Sequence, residues 1–174
     1  SSSSAASDVY KRQVQIFAYI GCSASYDMRG QKVAQALVKL YQAAGVDFGI
    51  LGEEERCCGS EVRRLGEQGE DSLFEALTED WEEAMEDYRY ESMVTISPHC
   101  FDAFKHHYPM NGHEVNHYTQ HLARLIAEKK LTFSTKIERT VTYHDPCYLG
   151  KQNKVFDEPR AVLKALPGIK LVEM

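Results

Sequence analysis

Apolar residues along the chain fall into two alternating patterns. Continuous runs, VQIFAYI at 14–20, VDFGIL at 46–51 and SMVTI at 92–96, predict buried strands, with further strands at 114–118 and 139–143. Between the runs the spacing turns helical. Over 30–44 the apolar positions are Val33, Ala34, Leu37, Val38, Leu40 and Tyr41, and Gly45 stops the helix. A long helical stretch follows at 61–88, with a break near Gly66–Gly69. Shorter helices are predicted at 101–107, closed by Pro109, at 119–129, and at 158–165, where Pro159 sits in the first turn. Strands alternating with helices predict an α/β fold, a mostly parallel sheet with helices on both faces.

The cysteines follow the strands. Cys22 comes after the first, Cys57 and Cys58 after the second, Cys100 after the third and Cys147 after the fifth. In a parallel sheet the strand C-termini share one edge, so this order predicts cysteines along the C-terminal edge of the strands, where such folds bind ligands. Gly21 precedes Cys22 and Gly59 follows Cys58, which lets backbone approach a cofactor closely; Pro98 and Pro146 fix the chain before Cys100 and Cys147. An adjacent pair such as Cys57-Cys58 rarely closes a disulfide. Two neighbouring thiolates instead suit neighbouring metals, and soft thiolates select iron–sulfur clusters, zinc or copper(I). Buried cysteines that only pack as small apolar groups are the plainer alternative.

The segments IGCSASYDMRG, EEERCCGSEVRRLG, SPHCFDAFKHHYP and HDPCYLGKQ together resemble the cysteine-rich CCG domain of heterodisulfide reductase B- and D-type iron–sulfur oxidoreductases, found also in iron–sulfur subunits that oxidise glycolate, lactate and glycerol-3-phosphate. The resemblance implies an iron–sulfur cluster of the [4Fe-4S] class, non-cubane in some members. By position it makes Cys22, Cys57, Cys58 and Cys100 the ligands. The family's CxxC is broken here, because Ser97 stands at its first cysteine. Cys147 corresponds to the first metal ligand of a second module. The expected organisation is a polar, non-native or disordered lead at 1–13, a first CCG module at 14–138, and the truncated start of a second at 139–174. The implied activity is electron transfer as an iron–sulfur oxidoreductase. Electrons would pass between a flavoprotein or ferredoxin-type redox subunit and a disulfide, quinone or second carrier. A zinc site on the same cysteines, or a cluster-free scaffold that binds a redox subunit, are the other readings.

Composition narrows the choice. The 174 residues carry 43% hydrophobic residues, enough for a core, and a formal net charge of −6, which disfavours a general nucleic-acid binder. Acidic residues crowd 53–91, a pattern expected of a solvated helix face or of a docking face for a basic partner. No run of about 18 apolar residues predicts a membrane span. Five cysteines, an odd number, fit a reducing compartment better than a disulfide scaffold. The expected location is therefore cytoplasmic, or the cytoplasmic face of a membrane through other parts. Among the histidines, His144 in HDPC is the candidate catalytic proton donor, and His99 flanks Cys100.

Overall fold

The computed structural model describes residues 13–174. The proposed lead thus lies outside the described residues except for Gln13, which opens the first strand. Four strands form one parallel sheet: β1 (Gln13–Tyr19), β2 (Phe48–Gly49), β3 (Arg89–Thr95) and β4 (Glu114–His117), in the order β2-β1-β3-β4. Helices α1 (Cys22–Tyr26), α2 (Met28–Ala43), α3 (Ser60–Arg64), α4 (Leu73–Met85), α5 (Pro98–His107) and α6 (Tyr118–Ala127) flank it.

Alternation along the strands sorts the core into two layers. Ile16, Ala18 and Val94 pack with Leu37, Tyr41, Leu122 and Leu125 of α2 and α6. Phe17, Tyr19 and Met93 pack on the other face with Phe74, Trp81 and Met85 of α4 and with Cys100, Ala103 and Phe104 of α5. The α/β reading with helices on both faces holds.

The break expected near Gly66–Gly69 is present, and two other elements differ from expectation. The helix at 61–88 divides into α3 and α4, because Gly66, Gly69 and Asp71 all take positive φ, and Ser72 then caps α4 by accepting the Glu75 N–H. The strand at 46–51 shrinks to Phe48–Gly49, with Asp47 binding β1 just before it. A short helix α1 begins at Cys22 itself, and Asp27 separates it from α2 by accepting N–H bonds from Arg29 and Gly30.

The fifth strand does not join the main sheet. β5 (Arg139–Val141) pairs in parallel with β6 (Ile169–Leu171), across α7 (Asp157–Lys164). Cys147 therefore follows a strand of a second, two-stranded sheet, which corrects the expectation of one shared sheet edge for all five cysteines. Arg160 fastens this unit. Its guanidinium makes a two-pronged pair with Asp145 at 2.8 Å and also binds Glu173. The unit meets the larger sheet at α5, where Phe101, Leu149 and Val155 form a small core and the Asn153 amide donates to Asp102.

Two buried histidines on the C-terminal side of the sheet make folding pH-dependent. His117 sits between the Ile96 carbonyl at 3.0 Å and the Thr119 hydroxyl at 2.8 Å, and His121 bonds the Tyr41 hydroxyl at 2.7 Å. Burial lowers each from the ordinary 6.5 to about 4. The folded chain then refuses protons that the unfolded chain accepts, so stability is full above pH 6.5 and is lost as pH falls toward 4. Each histidine contributes ~3 kcal/mol to that loss. Glu55, raised to about 7 by burial, acts in the opposite sense over its own window. The clean measurement is a difference: urea unfolding at pH 7 and pH 5 should show His117→Asn losing less stability on acidification than wild type. Parallel losses in the two proteins would count against this assignment.

Candidate metal centre

The backbone at the ends of β1 and β3 gathers the cysteines. β1 ends at Tyr19 in register with Thr95 at the end of β3. Cys22 opens α1 just beyond the first, and Cys100 lies in the first turn of α5 just beyond the second. The Cys57-Cys58-Gly59 loop arrives from β2 and leads into α3, with Gly59 as its N-cap. The Cys58 thiol donates to the Cys100 sulfur at 3.1 Å, and both are buried. Cys57 accepts the Gly59 N–H at 3.5 Å and lies close enough to Cys58 and to Cys22 to act on their thiols electrostatically. The four sulfurs thus form a row running from the surface at Cys22 and Cys57 to the core at Cys58 and Cys100.

Crowding opposes ionisation along this row. The Cys58 thiol is pushed up to about 12, first by its hydrogen bond with Cys100. Cys57 rises further, first through Cys58 and then by burial, and Cys22 rises by burial and then by proximity to Cys57. Three neighbouring thiols, Cys22, Cys57 and Cys58, that resist negative charge fit a cationic centre that would take that charge. Among the described residues, no three His, Cys, Asp or Glu side chains gather as the ligands of a single metal ion.

Residues not singled out from the sequence brace the row. Glu55 accepts the Ile20 N–H at 2.8 Å on one carboxylate oxygen and the Gly21 N–H at 2.6 Å on the other, fixing the turn before Cys22. The Tyr19 hydroxyl donates to the Arg56 carbonyl at 2.7 Å, and the Tyr108 hydroxyl donates to the Cys58 carbonyl at 3.1 Å. Burial raises both phenols well above their usual range, with the neighbouring cysteines adding to it. Nothing in the sequence separates Glu55 from its exposed neighbour Glu53, so pattern alone could not find it. Cys22, Cys57 and Glu55 line one end of a cavity of about 770 Å³ that gives outside molecules access to the row.

Two glycines set the approach distances. A Cβ on Gly21 would stand 3.4 Å from the Cys100 sulfur. Gly59 has φ +64, and a Cβ there would stand 2.8 Å from the Phe74 ring. Gly59→Ala meets both left-handed strain and a clash in the core, so it should destabilise the chain by ~2 kcal/mol or more. Thermal unfolding reads this, and an unchanged midpoint would contradict it.

Ser97 accepts the His99 N–H at 3.3 Å and caps α5. Cys147 is exposed, and no contact joins it to the row, but its segment reaches the rim. Tyr148 packs edge-on against His99 at 4.6 Å and lies under the Arg64 guanidinium, while Glu61 binds both Arg64 and His99. Arg64 is thereby paired within the rim. His144 is exposed and acts electrostatically on its neighbour Asp145.

Comparison with known families decides the relationship. The cysteine-rich domain family, CCG, matches residues 16–105 and 141–174. The chain belongs to this family. The relatives of this CCG domain include the EtfAB:quinone oxidoreductase of Syntrophomonas wolfei, 43% identical over 159 residues, 90% of this chain and 22% of that protein. The probable iron-sulfur-binding oxidoreductase FadF of Bacillus subtilis is 42% identical over 94% of this chain and 23% of its own length. In Methanosarcina mazei, a polypeptide of the dihydromethanophenazine:CoB–CoM heterodisulfide reductase is 38% identical over 90% of this chain and 39% of its own length. The CCG domain thus spans a fifth to two fifths of these relatives. No solved structure gives a significant match. No helix among the described residues is long and apolar enough to cross a membrane.

Proposed function

We propose that this CCG domain holds an iron–sulfur cluster on Cys22, Cys57, Cys58 and Cys100 and serves as an electron-transfer module of an oxidoreductase. The observation that carries the reading is the contiguous row of four free thiols, two in the core and two at a cavity mouth. Such a cluster supplies a carrier of single electrons when bound. The protein's own contribution is placement. Glu55 holds the Gly21 turn, Tyr19 and Tyr108 hold the carbonyls of Arg56 and Cys58, and the apolar layer behind Cys58 and Cys100 excludes water. A row of sulfurs rather than a convergence on one point favours a multi-iron centre over one tetrahedral zinc.

Electrons would come from a flavoprotein or ferredoxin-type subunit and leave to a disulfide, quinone or second carrier at the Cys22–Cys57 end of the row. The relatives named for quinone and heterodisulfide chemistry support this range. Residues 14–138 would form one module and 139–174 the opening of a second, with Cys147 as its first ligand. The proposed location is cytoplasmic or at the cytoplasmic face of a membrane.

Anaerobic purification with metal and sulfide analysis tests the reading. Iron and acid-labile sulfide in equal amounts, with visible absorption that bleaches on reduction, are expected. Zinc without sulfide, or no metal at all, would refute it. Ser97→Cys refines the test. It adds a thiol three residues before Cys100 and weakens the α5 cap at a cost of ~1 kcal/mol. It should change the iron count or the electron paramagnetic resonance signal of the reduced protein. Identical counts and spectra would show that position 97 lies outside the ligand set.

A further inference from the structure

Among the described residues, one buried side-chain oxygen or nitrogen has no hydrogen-bond partner, the hydroxyl of Thr95. Thr95 is 0% exposed, so water does not satisfy it at the surface. An unpaired buried hydroxyl weakens folding by about a factor of ten, so a folded chain that keeps one calls for an explanation.

Its position offers one. Thr95 is the last residue of β3 and stands in register with Tyr19 of β1. Side chains two apart on a strand share a face. Thr95 therefore points the same way as Met93, into the layer that holds Tyr19, Cys58 and Cys100. The opposite layer takes Val94. The hydroxyl is thus a donor without an acceptor, on the face of the sheet that carries the buried cysteine pair and at the end from which Cys100 follows.

We propose that the Thr95 hydroxyl donates a hydrogen bond to sulfur, a thiolate or an inorganic sulfide, when a metal–sulfur centre occupies the cysteine row. The proposal rests on the cluster reading above. Such a donor draws electron density from sulfur and favours the reduced state, which raises the reduction potential. Thr95 is a tuning residue; it moves no proton and binds no metal.

Thr95→Val keeps the shape and deletes the hydroxyl, and Thr95→Ser keeps the hydroxyl. In the metal-free chain, Thr95→Val should lower the unfolding equilibrium constant about tenfold, because an unsatisfied group is gone. In the reconstituted chain, redox titration followed by absorption should show a more negative potential for Thr95→Val and a wild-type potential for Thr95→Ser. Equal potentials for wild type and Thr95→Val at equal iron and sulfide content overturn this proposal alone. A metal-free Thr95→Val less stable than wild type also overturns it, because the hydroxyl then has a partner in the protein. Absence of iron and sulfide from all three proteins overturns the cluster reading and this proposal with it.

Discussion

Cys58→Ser should abolish iron and sulfide uptake by the reconstituted chain, whereas Cys147→Ser should leave it unchanged. Cys58 lies at the centre of the row, hydrogen-bonded to Cys100 on one side and adjacent in sequence to Cys57 on the other. It is also 4% exposed, so no water or buffer ligand could replace its sulfur without opening the core. A metal ligand removed from such a place leaves an iron under-coordinated in an apolar layer, while an unbound surface thiol is lost without consequence. Cys147 is exposed and stands outside the row. The rim still makes the comparison a sharp one. Tyr148, next to Cys147, touches His99, next to Cys100. If Cys147→Ser costs as much iron as Cys58→Ser, Cys147 supplies the ligand that Ser97 does not, and the division into two modules fails.

Trp81→Ala should cost ~3–5 kcal/mol, a large share of the ~5–15 kcal/mol that holds an ordinary domain together. Trp81 is the chain's single tryptophan and is 3% exposed. Its ring meets Tyr19 at 5.7 Å, Phe104 at 4.8 Å, Phe17 at 5.8 Å and Tyr108 at 6.4 Å. Two of those rings, Tyr19 and Tyr108, carry the hydroxyls that hold the cysteine loop. Removing the indole opens a cavity at the junction of α4, α5 and β1, and the loop braces lose their backing. Urea unfolding followed by circular dichroism gives the number, and Trp81→Phe should recover most of it. A loss below ~1 kcal/mol would mean that the aromatic layer is not the main support of this face.

The parts of this architecture legible in the sequence were those set by local pattern. The run VQIFAYI became β1, and its period of two placed Ile16 and Ala18 against one helical layer and Phe17 and Tyr19 against the other. Gly66 and Gly69 marked the break between α3 and α4 because both take backbone angles that suit glycine. What stayed hidden depended on tertiary contact. Glu55 reads as one more acidic residue in EEER, and only the approach of the Ile20–Gly21 backbone turns it into a half-buried brace. Pairing of β5 with β6 apart from the main sheet is a choice between partners of similar pattern, and the Arg160 clamp on Asp145 and Glu173 that fastens the pair is a tertiary contact. Thr95 is equally silent, since a missing partner leaves no trace in a string of residues.

The Cys58–Cys100 contact joins residues 42 apart in sequence, and it closes across strands whose pairing is parallel and therefore non-local. Contacts of that span form late, because the entropy of closing the intervening loop is met before the contact can contribute. A nascent or partly folded chain offers separate thiols, not a prepared row. A cofactor that needs the whole row would then be inserted only after β3 has docked on β1.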